Sequence, residues 1–144
     1  MQGHEHLAGI SRAEILAFGR LTGNNHDMHT SDEAAMAMGF PAQVVQGPYV
    51  LARGIASSSE VLRGHGIALL GVSWRYTGAA VADEPLDLGW EVTSVRRTSA
   101  GDRGVAEMTL TLQADGRKVG EGNFTVLVSK DFTDRFLADR RGET

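Results

Sequence analysis

Cysteine is absent from the 144 residues, which excludes disulfides, thiolate metal sites and a cysteine nucleophile. That absence suits a reducing compartment, and the cytoplasm is the expected one. Basic clusters are missing too. Lys and Arg number 14 against 18 Asp and Glu, giving a formal charge of −4, and no more than two basic residues run together. Phosphate backbones require a concentrated positive surface, so no nucleic-acid partner is expected. Long apolar runs are also lacking. The longest, around Ala34–Phe40 and Ile67–Val72, fall far short of the roughly 20 residues that span a bilayer. The first residues, Met1 to Leu7, are polar and His-rich, unlike a secretory leader. His4 and His6 are read as part of a loose terminus. The expectation is a soluble protein without membrane contact.

What is present is a globular composition, 42% hydrophobic, over a length that fits one domain, residues 1–144. The first half reads as helices. Ser11 with Glu14 makes a capping box before Ile15, Leu16, Phe18 and Leu21, and that helix stops near Gly23. The polar run Asn24-Asn25-His26-Asp27-Met28-His29 has no apolar period and is predicted to be a loop. Thr30 with Glu33 offers a second capping box for a short helix through Ala34–Met38. Gly47-Pro48 opens a third helix, with Pro48 placed at the first helical position. Its early turns are apolar on nearly every side except Arg53, which predicts burial almost all round.

From Ile67 the period becomes two. Leu70, Val72, Trp74 and Tyr76 alternate with Leu69, Gly71, Ser73 and Arg75, and three further strands follow around Leu88, Met108 and Phe124. Asp115-Gly116 is a hairpin turn between the last two strands. Trp74, Tyr76, Trp90 and Phe124 read as core residues. Gly120 and Gly122 suggest a bend or a close backbone approach. The charged tail after Val128 carries no motif. The prediction is an α+β fold in which an antiparallel sheet wraps one buried helix. Four strands are few to enclose a helix, so pairing with a second subunit is expected.

These landmarks resemble the MaoC-like family of R-specific enoyl-CoA hydratases and acyl dehydratases. The likeness runs over roughly Ile10 to Val128. The family's Leu/Thr-Ser/Thr-Gly-Asp-x-Asn-Pro-x-His stands here as Leu21-Thr22-Gly23-Asn24-Asn25-His26-Asp27-Met28-His29. Its His-Gly-Met at the central helix stands as Gln46-Gly47-Pro48. Its Phe-x-x-Pro-Val-x-x-Gly-Asp-x-Leu stands as Tyr76 to Leu86, with Asp83-Glu84 replacing Gly-Asp. The resemblance implies a single hot-dog domain, dimeric, acting as a lyase on an acyl thioester carried by coenzyme A or an acyl carrier protein. It implies interconversion of 3-hydroxyacyl and trans-2-enoyl thioesters, in fatty-acid or polyketide metabolism, without a cofactor.

By the same resemblance His29 is the general acid/base, as suits an imidazole whose ordinary pKa is about 6.5. The Gly47 N–H, at a helix N-terminus, receives negative charge on the thioester oxygen. Asn24 stands where the family's catalytic Asp belongs, and an amide orients water without transferring a proton. Three readings stay open: His29 works alone while Asn24 positions substrate, Asp27 or His26 replaces the missing acid, or the domain binds acyl groups without hydrating them. Gln46, Tyr49 and Arg75 are expected to contact substrate, and Arg75, Arg96 and Arg97 are candidates for a carrier phosphate. His26, Asp27 and His29 lie too close in one short loop to converge as metal ligands, so no metal is expected. A hot-dog thioesterase is the enzymatic rival. It needs a carboxylate near the central helix, where Glu60 is the one acid.

Overall fold

The computed structural model describes residues 1–142. The chain begins with a strand, β1 (Gln2–Leu7), where a loose terminus is predicted. Its side chains are mostly polar, so no apolar alternation betrays it. It is held by backbone pairing from Gln2 opposite Glu91 to Leu7 opposite Leu86. The Ser57 hydroxyl donates to the Glu5 carboxylate, and the His6 ring meets Asp87.

Helix α1 (Arg12–Thr22) carries the predicted capping box: the Ser11 hydroxyl accepts from the Glu14 N–H at 3.2 Å, and the Glu14 carboxylate accepts from the Ser11 N–H at 2.8 Å. It ends at Gly23, and the polar run then closes in a 3-10 turn over Asp27–His29. Helix α2 (Asp32–Ala37) is capped by Ser31, whose hydroxyl accepts from the Ala34 N–H at 3.1 Å. The predicted Thr30–Glu33 box does not form, because the Thr30 hydroxyl turns back onto the Asp27 carbonyl at 2.7 Å. Helix α3 (Gly47–Ser58) has Gly47, not Pro48, at its first position. Pro48 still forfeits no helical bond, since the first N–H to bond back to Gln46 is that of Tyr49, at 2.9 Å.

Strands β2 (Gly66–Tyr76), β3 (Leu86–Arg97), β4 (Arg103–Ala114) and β5 (Arg117–Ser129) complete a five-stranded antiparallel sheet of order β1-β3-β4-β5-β2. Asp115 and Gly116, both at positive φ, make the β4–β5 turn. The ring of Trp74 lies where a Cβ on Gly120 would be, so the close approach expected there is between an indole and a bare backbone. Leu88, Val92, Met108, Leu110, Leu112 and Phe124 form the core with Val50 of α3. The charged tail is a fourth helix, α4 (Lys130–Arg141), which sends Phe132 and Phe136 into that core.

Helix α3 is not buried all round. Val50, Gly54 and Ser58 are buried on one face, while Pro48, Ala52 and Ala56 remain exposed. The last member of the sheet, β2, is an edge exposed along both faces. No helix among the described residues is long and apolar enough to cross a membrane.

Candidate active site

The 3-10 turn at Asp27–His29 ends on His29, which is 8% exposed. Its Nδ1 lies 2.8 Å from the carbonyl oxygen of Val44. A carbonyl only accepts, so in the neutral ring Nδ1 carries the hydrogen and Nε2 is left with a free lone pair. The backbone of His29 is fixed as well: the buried amide of Gln43 donates to its carbonyl at 2.7 Å. Gln43 is fixed in turn, because its N–H donates to Asp32 at 2.8 Å, and Asp32 is gripped by Arg12. The guanidinium of Arg12, followed by the Gln43 N–H, holds the Asp32 carboxyl below the ordinary carboxylate range.

His29 and Gly47 line one cavity of about 200 Å³, walled by Met28, Phe40, Val45, Val50, Tyr76 and Val119. No bonded acceptor is present for the Gly47 N–H among the described residues. That N–H begins α3, where the helix dipole favours negative charge. His29, with Nε2 unpaired, and Gly47, with its N–H unpaired among the described residues, therefore line one cavity whose other side chains are apolar apart from Tyr76. The wall leaves no room for a side chain on the helix end: a Cβ at Gly47 would sit 2.9 Å from the ring carbons of Tyr76.

The other expected site residues are placed elsewhere. Asn24 is half-buried, and its carbonyl accepts from the Gln46 amide at 3.3 Å, but its side chain is not among the walls of the cavity. Asp27 and His26 are exposed. Gln46 is fully buried and turned away from the chamber, donating to the Ile15 carbonyl at 2.9 Å while its own Oε1 finds no partner. Tyr49 stacks on Phe18 at 4.7 Å and points its hydroxyl at Glu14, 3.5 Å away. Arg75 is exposed and engaged with Glu121 at 2.5 Å, and Arg97 pairs with Asp134. No group of three His, Cys, Asp or Glu side chains among the described residues converges on a metal position. Gln43, the Val44 carbonyl and Tyr76 are the parts of the site that sequence reasoning missed. For Tyr76 a signal was available, since it is a hydroxylated ring where the motif has Phe.

No protein-family profile and no curated protein matches the chain. Solved structures do. The R-hydratase PhaJ1 of Pseudomonas aeruginosa is 18% identical with a TM-score of 0.74, the match covering 90% of this chain and 80% of that one. HadBC, a 3R-hydroxyacyl-ACP dehydratase complex of Mycobacterium tuberculosis, is 19% identical at 0.75, covering 88% and 94%. A MaoC-like dehydratase of Rhodospirillum rubrum is 17% identical at 0.77, covering 90% of each chain. The chain has the hot-dog fold of the MaoC-like dehydratases and R-hydratases.

Proposed function

We propose that this single domain is an acyl-thioester hydratase or dehydratase that interconverts trans-2-enoyl and 3-hydroxyacyl thioesters. One observation carries the reading: the His29 imidazole and the partnerless Gly47 N–H line the same cavity. In hydration, Nε2 of His29 takes a proton from water as oxygen adds to C3. The thioester oxygen takes the enolate charge against the Gly47 N–H, and the imidazolium returns the proton to C2. One imidazole thus serves both steps, as it must if Asn24 transfers none. Asp27, exposed and outside the cavity, is poorly placed to replace the missing acid.

The chamber, at about 200 Å³, lies below the roughly 300–1,000 Å³ of sites for drug-sized ligands. It suits a short acyl group whose carrier, coenzyme A or an acyl carrier protein, stays outside. Thioesterase chemistry at Glu60 is disfavoured. Glu60 is paired with Arg63 beyond the far end of α3, roughly 18 Å from Gly47 along a twelve-residue helix at 1.5 Å per residue. We further propose a homodimer, supported by the bare apolar edge of β2, in the cytoplasm.

The test is turnover of crotonyl-CoA, following the conjugated absorbance and free thiol together. Loss of conjugation without thiol is expected, and His29→Ala should slow it by at least about 10²-fold. Thiol release would instead indicate a thioesterase. Binding without either change would leave an acyl-binding module.

A further inference from the structure

The cavity wall contributes one polar group that the reaction as described leaves idle. Tyr76 ends β2, and its ring is laid against the first residue of α3: a Cβ on Gly47 would be 3.2 Å from the Tyr76 hydroxyl oxygen. That hydroxyl has no hydrogen-bond partner among the described residues, and neither has the neighbouring Gly47 N–H. The next residue of the helix, Pro48, has no N–H to add. The helix end therefore presents one backbone donor where a developing oxyanion has room for two.

The remaining walls explain why this hydroxyl stands out. Apart from the His29 ring and backbone groups, the side chains around it are apolar, among them Phe40, Val50 and Val119. Tyr76 is 49% exposed, and its partial burial pushes the phenol above its ordinary range; as a phenol it is protonated at neutral pH in either case and can donate. Its ring is held edge-on to Trp74, with centroids 6.2 Å apart and planes at 75°.

We propose that the Tyr76 hydroxyl is a second hydrogen-bond donor to the thioester carbonyl oxygen, acting beside the Gly47 N–H. The proposal rests on the acyl-thioester reading above. It makes Tyr76 a catalytic residue, because the contact strengthens as the carbonyl gains charge in the transition state.

Butyryl-CoA, which lacks the double bond and cannot be hydrated, reads the contact directly. Its bound thioester carbonyl is expected at lower infrared frequency than in water, and Tyr76→Phe, which removes only the oxygen, should return part of that shift. With crotonyl-CoA the same variant should lose about 10²-fold in kcat, with KM changed far less. A carbonyl band identical in wild type and Tyr76→Phe overturns the proposal whatever the activity. A wild type that binds butyryl-CoA with a band sensitive to Tyr76→Phe, yet hydrates no enoyl thioester, refutes the reaction and leaves the contact standing.

Discussion

Gln46 is completely buried, with its nitrogen shared between the carbonyls of Ile15 and Asn24 and its oxygen unpaired. It ties the start of α3 to α1 and to the loop that follows, and contributes nothing to the chamber. Asn24, at the other end of that tie, is held through its backbone, while its side-chain amide stays outside the cavity. Asn24→Asp is therefore expected to leave crotonyl-CoA hydration within about threefold, set against the 10²–10⁴ of a working proton-transfer group. Steady-state rates of the two proteins decide this, and a gain of a hundredfold would mean that position 24 reaches the reacting carbons. His29 and Gly47 were legible because a motif fixes their spacing and order. Gln43 and the Val44 carbonyl were not, since a hydrogen-bonded support leaves no pattern in one sequence, and Tyr76, which strand alternation places in the core, is 49% exposed at the end of an edge strand.

Among the elements, those with an apolar period were readable and those held by polar contacts were not. The strands from Ile67 onward and the capped α1 fall near their predicted places. β1 escaped because backbone pairing and polar side-chain contacts recruit it, and α4 because Phe132 and Phe136 are sparse among charges. Polar fastening also makes these pieces sensitive to acid. The Asp134 carboxyl is pulled below its ordinary range by Lys130 and then Arg97, anchoring α4 to the end of β3, as Asp32 is by Arg12. A depressed carboxyl stabilises the fold above its unfolded value near about 4, and that stability is lost as pH falls through the lower folded value. Melting temperature is thus expected to hold from pH 6 to about 4.5 and to drop below about 4. Asp32→Asn, with no proton to take up, should melt lower at pH 6 and lose less on acidification.

For the whole molecule the decisive feature is what the sheet leaves uncovered. Ile67, Leu69, Leu70 and Val72 are each 44–54% exposed on an unpaired edge strand, and the outer face of α3 is open beside them. Charge, bulges and brevity are the usual protections of such an edge. Its bulges, near Ala68 and Gly71, are the one protection this eleven-residue strand has in its apolar stretch. Paired with a second copy, the strand would join two sheets into one. Light scattering of the purified protein should give twice the chain mass of 15.4 kDa, and Leu70→Lys should halve it. A wild type that stays monomeric at micromolar concentration would refute the pairing.

If two chains pair along β2 as proposed, a protomer that has not yet met its partner carries a ribbon of free amides and carbonyls onto which any extended peptide can zip. Refolding then becomes a race between pairing, which needs two chains, and the growth of larger aggregates, which needs more. Recovery should climb as the solution is thinned, while misassembly falls away faster than coupling, and turn down again once the correct meeting grows too rare.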